Sequence, residues 1–224
     1  MKTKEKKSII ETTVIGSEDN AKTFEIIKEL INDEDVKEEV ILIQVFPTIS
    51  LDEGTMSDVT TFHLVNRMKE LGWKKVHMLN LFSSVSKERL KAKDLLCVDT
   101  DNMLYIKERI KTLGKDVQMY IGWGNSLSSN QVAIQSKIKV LEEFQNLYPK
   151  GKLYQLTCDA LEEETDSVGT HILFLGLRYS KERWYATEYP FKMELEHMKK
   201  QVKQEKTTKK REVKNSVSQN NEQT

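Results

Sequence analysis

Seven residues, Val40-Ile-Leu-Ile-Gln-Val-Phe46, form an almost continuous apolar run that Pro47 ends. A strand with one wet face alternates apolar and polar residues, and this one does not. The pattern is that of a strand covered on both faces, as in a parallel sheet between layers of helices. Val76-His-Met-Leu-Asn80-Leu-Phe82 has the same character and opens into Ser83. Residues 117–121, 153–158 and 171–177 read as three further strands, and residues 9–15, bounded by Gly16, as a first strand at an edge.

Helical spacing separates these segments. Ser17 offers an N-cap to a helix with Phe24, Ile27, Leu30 and Ile31 facing inward. Ser57 or Asp58 caps a second, with Phe62, Val65, Met68 and Leu71 as its buried stripe. Leu104, Ile106, Ile110 and Leu113 mark a third, and a longer helix runs from Ser126 to about Tyr148. The acidic segment 159–166 reads as a solvated excursion, residues 178–190 as a loop, and the chain after Phe191 as a polar helix. The expected architecture is a three-layer α/β/α sandwich with a mainly parallel central sheet. It forms a single domain over residues 1–198, followed by a basic, polar, disordered tail over 199–224.

Charge excludes little. Lysine plus arginine equals aspartate plus glutamate at 35 each, so net charge implies no polyanionic partner. The distribution is uneven, because residues 199–214 hold eight basic residues and two glutamates. No apolar run approaches the roughly 20 residues that span a bilayer, and the N-terminus lacks the pattern of a secretory signal. Cys97 and Cys158 stand apart without CxxC context, as expected of reduced cysteines in a cytoplasmic protein. The four histidines show no HxH or HxxxH spacing, so no metal or other cofactor is implied.

In parallel sheets ligands bind beyond the carboxyl ends of the strands. The unusual residues cluster there: Pro47 to Ser50, Asn80 to Ser83, Gly122 to Ser126, and Arg178 to Pro190. Phosphate-loop, dinucleotide-binding and GxSxG signatures are absent, which sets aside three common chemistries. The amide of Asn80 offers a donor and an acceptor in one plane, matching the imide edge of uracil; a cap of the turn after the strand is the competing reading. Phe46 and Phe82 are placed either to stack on a flat ring or to fill the core. Gly122-Trp123-Gly124 either lets backbone amides approach a ligand or makes a tight turn.

These segments resemble a known family. Met78-Leu79-Asn80 resembles the strand-ending asparagine of uracil-DNA glycosylases, and Met119 to Ser126 resembles their Leu-Leu-Trp-Gly segment. Val45-Phe46-Pro47 stands in the place of their water-activating loop, and Tyr189-Pro190-Phe191 in that of the minor-groove motif. Residues 40–195 are more closely similar to a bacterial family of unknown function, DUF1643. Its motifs match at Phe46-Pro47-Thr48, Asp58-Val59-Thr60, Asn80-Leu81-Phe82, Trp123-Gly124 and Tyr189-Pro190-Phe191.

The resemblance implies a glycosylase-like fold and a DNA glycosylase that removes uracil. Phe46, Pro47, Asn80, Phe82, Trp123 and Gly124 would bind the base, and Lys181, Arg183 and Pro190 would contact single- or double-stranded DNA. A phenylalanine stands where a water-positioning residue is expected. Asp52, Glu53 or Asp58 would supply the carboxylate, Asp58 first because it matches the Asp-x-Thr motif; helix capping accounts for it too. Tyr189, or alternatively His171, would stabilise the departing base. A catalytically inactive module that binds DNA or a protein is the alternative.

Overall fold

The computed structural model describes residues 7–31, 33–53, 58–85, 95–113, 117–164 and 168–204, together with Thr3 and Glu5. Its seven strands are β1 (Ile10–Gly16), β2 (Thr23–Leu30), β3 (Glu38–Gln44), β4 (Trp73–Asn80), β5 (Gln118–Ile121), β6 (Leu153–Thr157) and β7 (Tyr185–Glu188). The helices are α1 (Val59–Met68), α2 (Thr100–Leu113), α3 (Gln131–Leu147), α4 (Asp159–Glu164) and α5 (Ile172–Arg178), followed by α6 over residues 191–204.

All seven strands form one sheet in the order β1-β2-β4-β3-β5-β6-β7. The middle four, β4-β3-β5-β6, are parallel. The β1–β2, β2–β4 and β6–β7 pairings are antiparallel. Half of the six pairings are therefore antiparallel, and the sheet is mixed rather than mainly parallel.

Helices cover both faces. Alternation sends Ile41, Ile43, Leu79, Met119 and Ile121 into a core beneath α2, α3 and α6, while Val40, Leu42, Val76, Met78 and Tyr120 enter a second beneath α1, α4 and α5. Among the described residues no helix is long and apolar enough to cross a membrane.

Several expected elements change type. The segment after Ser17 is strand β2, not a helix. The chain reverses through Asn20 (φ 58°), and a Cβ on Gly16 would lie 2.3 Å from the Lys22 carbonyl oxygen, so this hairpin closes too tightly for a side chain there. The buried positions of β2 include Glu25 and Lys28. Glu25 is satisfied by His77 (2.6 Å), the Tyr105 hydroxyl (2.5 Å) and Arg109 (3.0 Å). Lys28 donates to the Thr12 hydroxyl at 2.8 Å.

Residues 172–178 form helix α5 instead of a sixth strand. The His171 ring caps it by accepting from the Leu173 N–H at 3.1 Å. The segment expected as a loop contains edge strand β7, and the acidic excursion is α4, anchored by buried Leu161. Of the expected α1 stripe, Met68 is buried but Phe62 points outward; Thr60, Thr61 and Leu64 are buried with Met68. The expected tail starts inside α6, which continues through residue 204; residues 205–224, with most of the basic segment, lie outside the described residues, as do residues 54–57 and the Glu53 side chain.

Candidate functional site

β3 and β4 end side by side in the parallel centre of the sheet, with Gln44 in register with Asn80. Both side chains continue the series Val40, Leu42 and Val76, Met78, so they leave the sheet on the α1/α5 face. On the other flank of Gln44, β5 ends and Gly122 donates its N–H to the Ile43 carbonyl at 2.8 Å. A Cβ at Gly122 would sit 2.9 Å from Leu42 Cδ1 and 3.8 Å from Gln44 Cγ. The bare glycine therefore lets Leu42 close against it, beside the glutamine.

The two amides are each 1% exposed. Nδ2 and Oδ1 of Asn80 and Nε2 of Gln44 have no hydrogen-bond partner among the described residues. The sense in which an amide is placed does not matter for Asn80, because both of its atoms are unpaired. Buried amides in folded chains almost always find a partner, so this pair at one strand-end locus has hydrogen-bonding capacity left for a ligand or a water. The backbone around Asn80 is held from the opposite face. Asn102 Nδ2 donates to the Asn80 carbonyl at 2.6 Å, and Asp99 accepts from the Ser83 N–H (3.0 Å) and hydroxyl (2.5 Å).

Asp58 caps α1, accepting from the N–H groups of Thr60 (2.7 Å) and Thr61 (3.2 Å) and from the Thr61 and Thr48 hydroxyls. Burial pushes its carboxyl pKa up, but these hydrogen bonds outweigh that and hold it below the ordinary value. His171 lies close enough to feel the Asp58 charge, and Lys28 feels it as well. Burial pulls the imidazole pKa down, with Asp58 opposing. His171 Nδ1 already accepts a backbone bond, so the neutral ring carries its proton on Nε2. Gly124 (φ 56°) packs directly on His171, since an added Cβ would lie 3.3 Å from the His171 Cβ and N.

The other anticipated residues lie elsewhere. Phe46 and Phe82 stack on each other, ring centroids 5.3 Å apart, and pack into the core beneath α2 and α3. Trp123 and Tyr189 meet edge to face at 6.1 Å in that same core, where Trp123 supplies a hydrogen bond to Tyr189. Tyr189 is thus on the opposite face from the Asn80 side chain, whereas the alternative, His171, caps α5 on the Asn80 face. Pro47 is buried at the end of β3, and Pro190 precedes α6. Lys181 and Arg183 are exposed in the turn before β7. Asp52 is exposed and accepts from Asn20 at 2.9 Å. Among the described residues no group of three His, Cys, Asp or Glu side chains is arranged to hold a metal ion.

Gln44 was not anticipated. Its signal was the one polar residue interrupting an otherwise apolar run, two positions before the strand breaks at Phe46-Pro47.

No curated protein matches the chain, and no solved structure does. The sequence profile described as "Protein of unknown function (DUF1643)" matches residues 28–160, a span that contains Gln44, Asp58, Asn80 and Gly124. This match covers more than half of the sequence, so the chain belongs to the DUF1643 family.

Proposed function

We propose that the chain is a uracil-DNA glycosylase-like enzyme, which hydrolyses the N-glycosidic bond of a base flipped out of DNA. The observation that carries this reading is the set of three unpaired, buried atoms on Gln44 and Asn80. Two are N–H donors and one is a carbonyl acceptor. A complementary ligand edge has two acceptors and one donor. The pairing edges of uracil, thymine and cytosine have that composition; guanine has the reverse, and adenine presents one of each. The choice of uracil among pyrimidines rests on the resemblance of the asparagine-ended strand to uracil-DNA glycosylases.

In this mechanism the flipped base enters beside Gly122, and the two amides bind its edge. The bond from C1′ to the base nitrogen breaks, and the base departs as an anion. The Nδ2 and Nε2 donors and the His171 Nε2–H stabilise that anion, in the manner of an oxyanion hole. The Asp58 carboxylate, ionised at neutral pH, stabilises the oxocarbenium-like sugar and accepts a hydrogen bond from the attacking water. Water adds its oxygen to C1′, and its proton leaves for the base anion. Lys181 and Arg183 would contact phosphates and make affinity fall with salt.

A second reading has its own support. The Asp58 carboxylate already accepts four hydrogen bonds, and Phe46 occupies the position before Pro47. A module that binds a base without cleaving it needs neither residue for chemistry.

The deciding experiment measures base release from single- and double-stranded oligonucleotides containing one uracil, with wild type, Asn80→Leu and Gln44→Leu. Release by wild type and at least tenfold less by each variant supports the enzyme. Amide-dependent binding of the same oligonucleotide without release selects the module. Neither release nor amide-dependent binding overturns both readings.

A further inference from the structure

On the opposite face of the sheet, a cavity of about 210 Å³ opens between the 123–128 loop, the start of α3, Tyr189 and α6. Lys137 of α3 lines it and is 5% exposed. Among the described residues its ammonium hydrogen-bonds only the carbonyl oxygens of Gly124 (3.4 Å) and Ser126 (3.2 Å), with the Trp123 ring centroid at 5.6 Å. Two long bonds leave one of its three N–H donors for something else. Among the described residues Lys137 forms no ion pair. Glu194 of α6 lines the same cavity and acts on Lys137 electrostatically without closing to salt-bridge distance. His197 of α6 and the Tyr189 hydroxyl are the other titratable groups around the space, and Ile134, Val168 and Met198 supply apolar wall.

Opposite charges in a partly apolar cavity normally collapse onto each other or are neutralised. Here they sit on different helices, Lys137 on α3 and Glu194 on α6, with the cavity between them. A ligand that bridges them carries an anionic and a cationic group joined to a compact apolar body. The volume lies between the roughly 150 Å³ of a cavity that takes up benzene and the roughly 300 Å³ at which drug-sized pockets begin. It therefore suits a ligand of about ten heavy atoms at that scale.

We propose that this cavity is a binding site for a free α-amino acid with an apolar side chain, its carboxylate on Lys137 and its ammonium on Glu194. The site is separate from the Gln44–Asn80 locus, sharing with it only Gly124, whose carbonyl Lys137 holds and whose other side touches His171. Burial pulls the Lys137 pKa down to about 8, with Glu194 opposing, so the ammonium that the carboxylate requires is lost as pH rises through that value.

The test is calorimetric titration of the full chain with L-leucine, 4-methylpentanoate (the same skeleton without the ammonium) and 3-methylbutylamine (without the carboxylate), at pH 7 and pH 9.5. The expected result is saturable binding of leucine at pH 7, at least tenfold weaker binding of both half-ligands, and at least tenfold weaker leucine binding at pH 9.5. Lys137→Met and Glu194→Gln should each reduce leucine affinity at least tenfold. Glu194 is only half-buried, so its variant tests the site even where Lys137→Met disturbs folding. Absence of leucine binding at 10 mM, equal affinity for 4-methylpentanoate, or full affinity in Glu194→Gln overturns the proposal. None of these outcomes depends on base release or on Asn80.

Discussion

Gln44 and Asn80 are register partners at the ends of neighbouring parallel strands, and Nε2 of Gln44 and both amide atoms of Asn80 lack a hydrogen-bond partner among the described residues. Burying an amide without a hydrogen bond costs about 1–3 kcal/mol in folded proteins. Leucine has nearly the shape of asparagine and no polar atoms to leave unpaired. Asn80→Leu is therefore expected to raise stability by about 1–3 kcal/mol in urea unfolding, while removing base binding. Such a gain is the signature of a residue kept for a ligand rather than for the fold. A loss of stability would mean that Asn80 is tied into the folded chain, and would remove the main support for the site.

The same atoms predict which free bases bind. Free uracil, with two acceptors and a donor on its pairing edge, is expected to raise the melting temperature of wild type. Guanine, with the reverse composition, is expected to leave it unchanged. A single mismatched edge is worth about 1–3 kcal/mol of discrimination, roughly tenfold or more in affinity. Cytosine is the informative comparison, because Asn80 can turn its amide over to meet it. Equal shifts with cytosine and uracil would assign the site to pyrimidines in general.

Capping and charge can be separated at Asp58. Asp58→Ala removes the N-cap of α1 and should cost about 0.5–2 kcal/mol. Asp58→Asn keeps an acceptor for the Thr60 and Thr61 N–H groups, so it should cost less while eliminating base release if the carboxylate acts on the sugar or water. The pH dependence has a definite sign. The folded carboxyl titrates below the ordinary value, so its stabilising contribution is fully present above about 3.9. It declines as pH falls through the lowered folded value. Referred to its own neutral-pH stability, wild type should therefore lose more stability than Asp58→Ala as pH falls below about 3.9. Coincident curves would contradict the lowered pKa.

How far the sequence discloses the fold follows from where burial is written in residue type. β3, β4, β5 and β6 sit in the middle of the sheet, covered on both faces, and their apolar runs are visible without any partner. β2 is equally buried, but two of its inward positions are Glu25 and Lys28. The groups that satisfy Glu25, His77, Tyr105 and Arg109, are 52, 80 and 84 residues away in sequence, so nothing local reveals that a carboxylate can be buried there. Seven mostly apolar residues after His171 suit a short strand and a short buried helix alike; the imidazole cap decides for the helix. In the site, Asn80 was legible because it ends a strand. Gln44 was not, because its pairing with Asn80 is a matter of register across two strands 36 positions apart. The aromatic residues misled for the converse reason. Phe46, Phe82, Trp123 and Tyr189 are at strand ends or just beyond, yet each has an aromatic neighbour in the core under α2, α3 and α6.

Gly124 couples loop geometry to His171. Its φ of 56° is in the left-handed region, and an added Cβ would press on His171 backbone and Cβ at 3.3 Å. Gly124→Ala is expected to destabilise by about 1–2 kcal/mol from the backbone conformation alone. If His171 stabilises the departing base anion, the variant should also lower the rate of release at saturating oligonucleotide more than it weakens binding. A fall in stability with unchanged release per folded molecule would leave the glycine its structural role and take His171 out of the mechanism.

Lys137 gives a prediction at alkaline pH that runs against the usual loss of stability there. Its ordinary pKa is 10.5 and its folded value is about 8, because burial penalises the ammonium. A lysine depressed in this way destabilises the fold while it is forced to stay charged. Between about pH 8 and 10.5 the unfolded chain holds a proton that the folded chain has released, so this residue makes stability rise with pH, by at most about 1.4 kcal/mol per unit. Lys137→Met should abolish that rise and be more stable than wild type at pH 7, since a well-packed apolar side chain replaces a buried charge without an ion pair. The loss of the bonds to the Gly124 and Ser126 carbonyls, both longer than 3 Å, offsets only part of this gain. Urea unfolding of both proteins from pH 7 to 10.5 measures the difference. Parallel curves would place the Lys137 ammonium in a solvated, ordinary environment and remove its claim to a ligand.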